Sequence, residues 1–465
     1  MKRENCTKIL SLASLGFLIS PLLLTSCDIF DFGKKDSSPS PSGSDSLSQS
    51  ASSSSASSDS NSSSSSSLGD SSSSSRPTED SFAPISFHFI EENIQNSGDA
   101  IYIKAGENDI LIDGGAKKGV ASTIKSYLDR FVTDGKLEYV FVTHAHEDHL
   151  GGLIGKNDPS DPSKKDGILY SYQIDHIVDF SYFMKGTLAV DNSMSHELTD
   201  SEKQNVTGIY TDYLNAREYA VSKGADAFTA KELTTEENHW KIELGKGLSV
   251  TLLYQFYYDH LRSETKLLDP SYALSGFSDQ NDCSLALLFE QGAKQMLFTG
   301  DAEEYAEASI VRSNPELKEV SLFKAGHHGS PTASGALLLE RIKPKAVVAS
   351  CVAGNTEYNQ KEKATTFPGQ ATIDRIAPYT ERFYVTTEGS FEDKSFHRPL
   401  NGDIVFSYDE NGVETVTFSN SDLGLKDTAW FAENRNMPDV WKSEQEEAKT
   451  LLSAYYLSKK ERIYA

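Results

Sequence analysis

The sequence predicts an α/β fold, and three observations carry that reading. Just past residue 82 stand short apolar runs, ISFHFI, AIYIKA and DILIDGG, rich in Ile, Phe and Tyr and separated by Gly, Asn and Asp. They have the length and composition of strands. The next segment, KGVASTIKSYLDRFV, spaces Val120, Ile124, Tyr127, Leu128 and Phe131 along one helical face,. LEYVFVT then returns to an apolar strand, and alternation of this kind builds sheets covered by helices.

The same alternation runs on. Residues 156–245 are less regular: a polar loop, GKNDPSDPSKKDG, leads into YSYQIDHIVDFSYF and then a helical stretch closed by Gly224,. This part reads as an insertion over one face. Strands return at HWKIELG, LSVTLLYQF, CSLALLFE and KQMLFTGD, with a helix at AEEYAEASIVRS. VSLFKAG is a strand before HHGS, and SGALLLERIK a helix after it. AVVASCV, RFYVTT and the hairpin-like NGDIVFSYDENGVETVTFS close the β part. The division that follows is 1–27 export signal, 28–81 linker, 82–425 folded domain with its insertion at about 156–245, and 426–465 a polar, partly helical tail. No internal repeat is present.

The 465 residues carry a formal net charge of -24. That balance argues against a protein that coats nucleic acid or anionic lipid through bulk electrostatics. Hydrophobic residues make up only 38%. The tract from Asp36 to about Ser75, almost all Ser, accounts for much of the deficit and buries too little to offset its ordering entropy. Before it come a basic head, an apolar stretch and small residues, the pattern of an export signal. A retained transmembrane helix is the rival, weakened by the short run, by Pro21 and by the lack of positive charge after it. Leu24-Thr25-Ser26-Cys27 resembles the bacterial lipobox, which implies an extracytoplasmic, membrane-anchored lipoprotein with lipid on Cys27. The Ser tract then serves as a spacer. Cys283 and Cys351 remain; a disulfide between them and two separate buried thiols are both open, the second being the simpler.

The chemistry concentrates in THAHEDHLGG. Three histidines and two carboxylates fall within His144 to His149, in a chain with only 11 His. In an extended segment alternate side chains face one way, so His144 and His146 point together. After the turn, Asp148 and His149 address a neighbouring point. Imidazole and carboxylate suit zinc, and such a pattern suits two close metal ions. The rival is a polar turn with incidental histidines.

H-x-H-x-D-H followed by Gly-Gly resembles the signature of the metallo-β-lactamase superfamily. LIDGG at Leu111 to Gly115, Asn96-Ser97-Gly98-Asp99-Ala100, Asn281-Asp282-Cys283-Ser284-Leu285, FTGD and KAGHHGS are similar to its ComEC-like competence branch. The resemblance covers about 82–415. It implies an αββα four-layer sandwich and a dinuclear centre of two divalent ions, zinc or manganese. By that resemblance His144, His146, Asp148 and His149 are ligands, and Asp301 bridges the two metals, with helix N-cap as its compatible alternative. His327 resembles the last ligand; His328 is the alternative for that role or a contact for substrate. Asp113 resembles the buried acid that orients ligand loops, against a plain turn residue before Gly114-Gly115. Two departures stand out: Asn281 and Asp282 replace a further metal-binding His, and Phe367-Pro368 replaces a His-Pro, with His397 a substitute. His88, His176, His239 and His260 lack motif context and read as surface or satisfied interior residues, His176 and His260 being held as reserve ligands.

The implied function is hydrolysis by a metal-activated hydroxide attacking phosphorus or carbonyl carbon. Asp148 is the candidate to manage the proton and His328 to contact substrate. Phosphodiesters, whether DNA or cell-surface phosphoesters, match two adjacent dications best. The alternatives are a carboxylic ester or amide hydrolase and a non-catalytic surface lipoprotein with a structural metal. No obligate protein partner is evident.

Overall fold

Alternation along the strands sorts the apolar residues into three separate cores. In the computed structural model the described residues are 81–157, 165–180, 182–183, 190–191, 208–258, 280–357 and 360–442, all in one compact unit. The export signal, Cys27, most of the Ser-rich linker and His260 lie outside them. Among the described residues no helix is long and apolar enough to cross a membrane.

Among the described residues eighteen strands form. The first stretch holds β1 (Ile85–Phe89), β2 (Ile101–Ala105), β3 (Asn108–Ile112), β4 (Lys136–Phe141) and β5 (Gln173–Asp179). Then come the small pair β6 (Tyr182–Phe183) and β7 (Val190–Asp191), and β8 (Asp226–Thr229), β9 (Trp240–Gly245) and β10 (Leu248–Leu253). The second half holds β11 (Ala286–Gln291), β12 (Lys294–Phe298), β13 (Leu322–Lys324), β14 (Val347–Ala353) and β15 (Phe383–Gly389). Last are β16 (His397–Pro399), β17 (Ile404–Tyr408) and β18 (Glu414–Phe418). Two eight-stranded sheets result, ordered β18-β17-β1-β2-β3-β4-β5-β8 and β16-β15-β14-β13-β12-β11-β10-β9.

On β2, Ile101 and Ile103 face the partner sheet while Tyr102 faces the helices; on β12, Met296 and Phe298 face inward and Leu297 outward. The central core joins the sheets through Phe87, Phe89, Ile110, Phe141, Leu287, Phe289 and Phe298. Phe87 stacks on Phe298 at 5.2 Å and meets Phe289 edge-on at 5.4 Å, the offset geometries aromatic rings favour. A second core packs α1 (Ala121–Leu128), α2 (Glu147–Ile154) and the helix Gly208–Ser222 on the first sheet. A third packs the helices Glu304–Ser313, Ala336–Ile342 and Gln370–Ile376 on the second. Helix, sheet, sheet and helix make the four layers of an αββα sandwich.

Two expectations about chain organisation change. The described part of 156–245 does not lie over the fold as a separate flap: β5, β8 and β9 extend the two sheets, and Tyr210, Tyr213 and Ala216 join the helix-side core. The chain after 425 also contributes to the interior, because Trp430, Phe431 and Trp441 are buried in the third core. Polar neighbours hide those aromatics from a composition reading. Cys283 and Cys351 are both buried and are not joined by a disulfide.

Topology fixes where ligands can converge. β3 and β4 run parallel, as do β12, β13 and β14. Their carboxyl ends therefore open on one edge in each sheet, the place where loops in such sheets gather functional groups.

Candidate metal centre

The first loop leaves β4. Thr143 and His144 are buried at its end, and His146 sits in extended backbone as the residue before α2. Asp148 and His149 then occupy the first turn of α2, both buried. The helix lies hard against the loop after β3. A Cβ at Gly152 would stand 2.2 Å from the Gly114 carbonyl, which instead accepts the Gly152 N–H at 2.7 Å. The Gly-Gly pair of the motif is thus a close-approach device.

That contact seats Asp113 beneath the histidines. Asp113 adopts a left-handed φ of 59°. Its Oδ1 accepts the Thr143 N–H at 2.7 Å; its Oδ2 accepts the Thr143 hydroxyl and His149 Nδ1, both at 2.7 Å. With Nδ1 of His149 engaged, Nε2 is the nitrogen presented to the centre.

The second sheet supplies the rest. Asp301 follows β12 and is 1% exposed, its N–H donating to Ser284 Oγ at 3.1 Å. His327 and His328 follow β13 with φ of 46° and 56°, consecutive left-handed values that non-glycine residues rarely adopt,. The tight turn sends the two rings different ways. His328 is fully buried, Nδ1 donates to the Ser350 carbonyl at 2.9 Å, and Nε2 lies 3.3 Å from Asp301 Oδ2 and 3.5 Å from Asp148 Oδ2. His327 stands at the edge, with Nδ1 3.1 Å from Glu303 Oε1 and Nε2 3.9 Å from Asp301 Oδ2. Of the two, it is His328 that joins the group of converging donors, and it lies fully buried rather than at the cleft surface.

Two donor groups result. Atoms of Asp148, His149, Asp301 and His328 lie within 4.8 Å of one another, and so do atoms of His144, His146 and Asp148. Asp148 is common to both. In the second group His144 Nε2 and His146 Nδ1 are 3.1 Å apart; two nitrogens bound to one zinc stand about 3–3.5 Å apart. Asp301 Oδ2 reaches toward both groups, 3.2 Å from His149 Nε2 and 3.9 Å from His144 Nε2. Asp99, Asp113 and His149 make a third cluster, but Lys324 and Thr143 already engage its carboxylates.

The decisive observation is a set of orphans. His149 Nε2, Asp301 Oδ2 and His328 Nε2 are buried and find no hydrogen-bond partner among the described residues. Buried polar atoms left unpaired are costly, and these three converge. Two imidazoles with the far nitrogen engaged and a carboxylate oxygen between them fit a divalent metal ion.

Electrostatics agree. Burial opposes charge on His149, yet the Asp301 and Asp113 carboxylates outweigh it and hold the imidazole well above its usual pKa. Burial likewise opposes His328, and Asp301 and Asp99 push it up to about 10. For Asp301 burial is outweighed by His328, His149 and Lys324, which hold it well below the usual carboxylate range. For Asp148 burial is likewise outweighed, here by the charges of His149 and His328. His144 is depressed by burial first and then by His149 and His146. The cluster is one of strong mutual attraction around a point that welcomes positive charge.

Asn281 reaches the centre only through Glu303, to which its Nδ2 donates at 3.3 Å. The Phe367 ring packs 5.6 Å from His327 and 6.0 Å from His328. His397 lies on β16, its Nδ1 3.1 Å from the Ser395 carbonyl. His88 is a satisfied interior residue bonded to Tyr127 and Ser86; His176 stacks on Tyr139; His239 pairs with Glu316. Sequence reasoning gave no role to Asp99, Glu303 or Lys324. Asp99 and Lys324 lay inside quoted motifs, and a charged residue flanking a histidine motif was the available signal. A cleft of about 770 Å³ opens over His146 and Asp148, lined also by Ser97, Lys117, Glu357 and Lys394.

Comparison with known proteins matches this half of the site. Residues 94–155 fit the family model of the metallo-beta-lactamase superfamily. ComE operon protein 3 of Bacillus subtilis (strain 168) is 29% identical over 86 residues, 18% of this chain and 11% of that protein. The uncharacterized protein YcaI of Escherichia coli (strain K12) is 31% identical over 80 residues, 17% of this chain and 11% of that protein. The match thus spans about a tenth of the length of these curated relatives. Among solved structures, the metallo-beta-lactamase fold protein YhfI from Bacillus subtilis is 10% identical with a TM-score of 0.32, over 68% of this chain and 99% of that one. The HxHxDH loop and the Asp113 loop that supports it both lie inside the segment that matches the metallo-beta-lactamase superfamily model.

Proposed function

We propose that the chain is a metal-dependent phosphoester hydrolase acting on phosphodiesters. The observation that carries this reading is the convergence of His149 Nε2, Asp301 Oδ2 and His328 Nε2 beside Asp148, which with His146 lines a cleft. Asp148, His149, Asp301 and His328 would hold one ion, and His144 and His146, sharing Asp148 and Asp301, a second. Metal held by these residues would supply an acidified water and a positive charge for a phosphoryl oxygen.

The chain's own groups do the rest. Asp113 and the Ser350 carbonyl fix the His149 and His328 rings, so little reorganisation is needed at the moment of reaction. Lys117 and Lys394 stand in a cleft that also holds Glu147, Glu357 and Asp148, and Lys117 is shared with Glu147 at 2.6 Å. Two adjacent dications, rather than the charge of the cleft walls, favour a phosphoester over a neutral ester or amide. A cleft of about 770 Å³ matches a small-molecule ligand or a single linkage of a polymer,.

A second reading, a non-catalytic protein with a structural metal, draws on Phe367, whose apolar ring takes the place of a polar group beside His327 and His328. Turnover of bis-p-nitrophenyl phosphate by the purified chain separates the two. Hydrolysis with zinc or manganese, abolished by chelator and restored by metal, is expected. A chain that binds metal and cleaves neither this compound nor DNA would overturn the enzymatic reading and favour the second.

A further inference from the structure

Lys324 ends β13 with its side chain 1% exposed, in the interior between the two sheets' ligand loops. A buried ammonium must spend all three of its hydrogens on acceptors, and here it does. Nζ donates to the Gly300 carbonyl at 2.9 Å, to Asp301 Oδ1 at 3.2 Å and to Asp99 Oδ2. Asp99 is itself tied to both loops of the first sheet. Its N–H donates to the Asp148 carbonyl at 3.1 Å, and its carbonyl accepts the Gly115 N–H at 2.7 Å. The ammonium therefore links the β12 loop to the two loops that carry Asp113 and Asp148.

The consequence lies in which oxygen of Asp301 is left. His149 Nε2 at 3.2 Å, His328 Nε2 at 3.3 Å, and His144 and His327 Nε2 at 3.9 Å all approach Oδ2. Among the described residues the cation that pairs with Oδ1 is Lys324. A partial rotation of the carboxylate that would turn both oxygens toward the imidazoles breaks the Lys324 contact at Oδ1.

We propose that Lys324 is a positioning residue that makes Asp301 a one-oxygen ligand, holding both metal positions to the same atom. The inference rests on the reading of this centre as dinuclear. A carboxylate free at both oxygens can chelate one ion or span two at a longer separation. One pinned by an ammonium offers a single atom and a fixed direction. Asp99 supplies the counter-charge that keeps the ammonium in place while the metals attract Asp301.

The test compares the parent chain with Lys324→Met and Asp99→Asn, each loaded with cobalt(II), whose visible absorption reports coordination number. In Lys324→Met the cobalt band should lose intensity as Asp301 turns chelating. kcat on bis-p-nitrophenyl phosphate should fall about 100-fold while KM stays within about three-fold. Asp99→Asn should move the band the same way by less, and it decides the matter alone if Lys324→Met fails to fold by circular dichroism. A parental cobalt spectrum and parental kcat in the folded variants would overturn the proposal. Failure of the dinuclear reading shows separately, as a parent chain that takes up fewer than two equivalents of cobalt.

Discussion

The two adjacent histidines of KAGHHGS differ in environment more than any other neighbours in the site. His328 is anchored through Nδ1 and aims Nε2 at Asp301 and Asp148; His327 sits outward against Glu303. His328→Ala should lower metal affinity at least 10-fold, by removing one of four donors from a buried site. His327→Ala should leave metal content unchanged and alter only kcat or KM. Chelator competition on the two purified variants checks this, and the reverse pattern would return the ligand role to His327. Sequence could not choose between them, because the sign of φ at two consecutive residues decides which ring turns inward. His144, His146, Asp148 and His149 were legible because spacing along an extended segment and one helical turn dictates direction. Lys324 was not, since a lysine at a strand end ordinarily reads as solvent-facing, and its burial depends on Asp99 arriving from 225 positions earlier.

At the scale of elements, strand alternation carried most of the information. β1, β2 and β3 were each visible as apolar runs, and the structure adds only which face of each looks inward. His88 on β1 shows what an element buries at a cost. Desolvation first, and then the Arg130 charge, lower its pKa to about 4 from 6.5. The unfolded chain takes a proton below about 6.5 that the folded chain refuses until about 4. Stability from this residue is therefore complete above pH 6.5 and lost as the pH falls through that window, by about 3 kcal/mol in all. His88→Gln, which keeps hydrogen-bonding groups toward Tyr127 and Ser86, should flatten the pH dependence of urea unfolding between pH 4 and 6.5. An unchanged slope would mean that His88 is not held neutral. The helix Ala429–Asn434 lies in the stretch read as partly helical, but its packing was hidden: Trp430 and Phe431 stand among polar residues, and only the third core reveals their use.

For the whole molecule, the arrangement of sheets explains why the centre needs both. The first sheet brings Asp113, His144, His146, Asp148 and His149 to its carboxyl edge, and the second brings Asp301 and His328 to the facing edge. Neither supplies four donors to one point alone, so metal uptake ties the two halves of the sandwich together and should add to folding stability. The αββα order was legible only through resemblance, because alternating strands and helices fix the class but not which sheet faces which. Metal content tests the central claim most directly. After equilibration with zinc or manganese and removal of the excess, the parent chain should retain two equivalents per chain, and Asp301→Asn, which loses the charge shared by both positions, should retain one or none. A parent chain that holds no metal, or an Asp301→Asn variant that holds as much as the parent, would contradict the account.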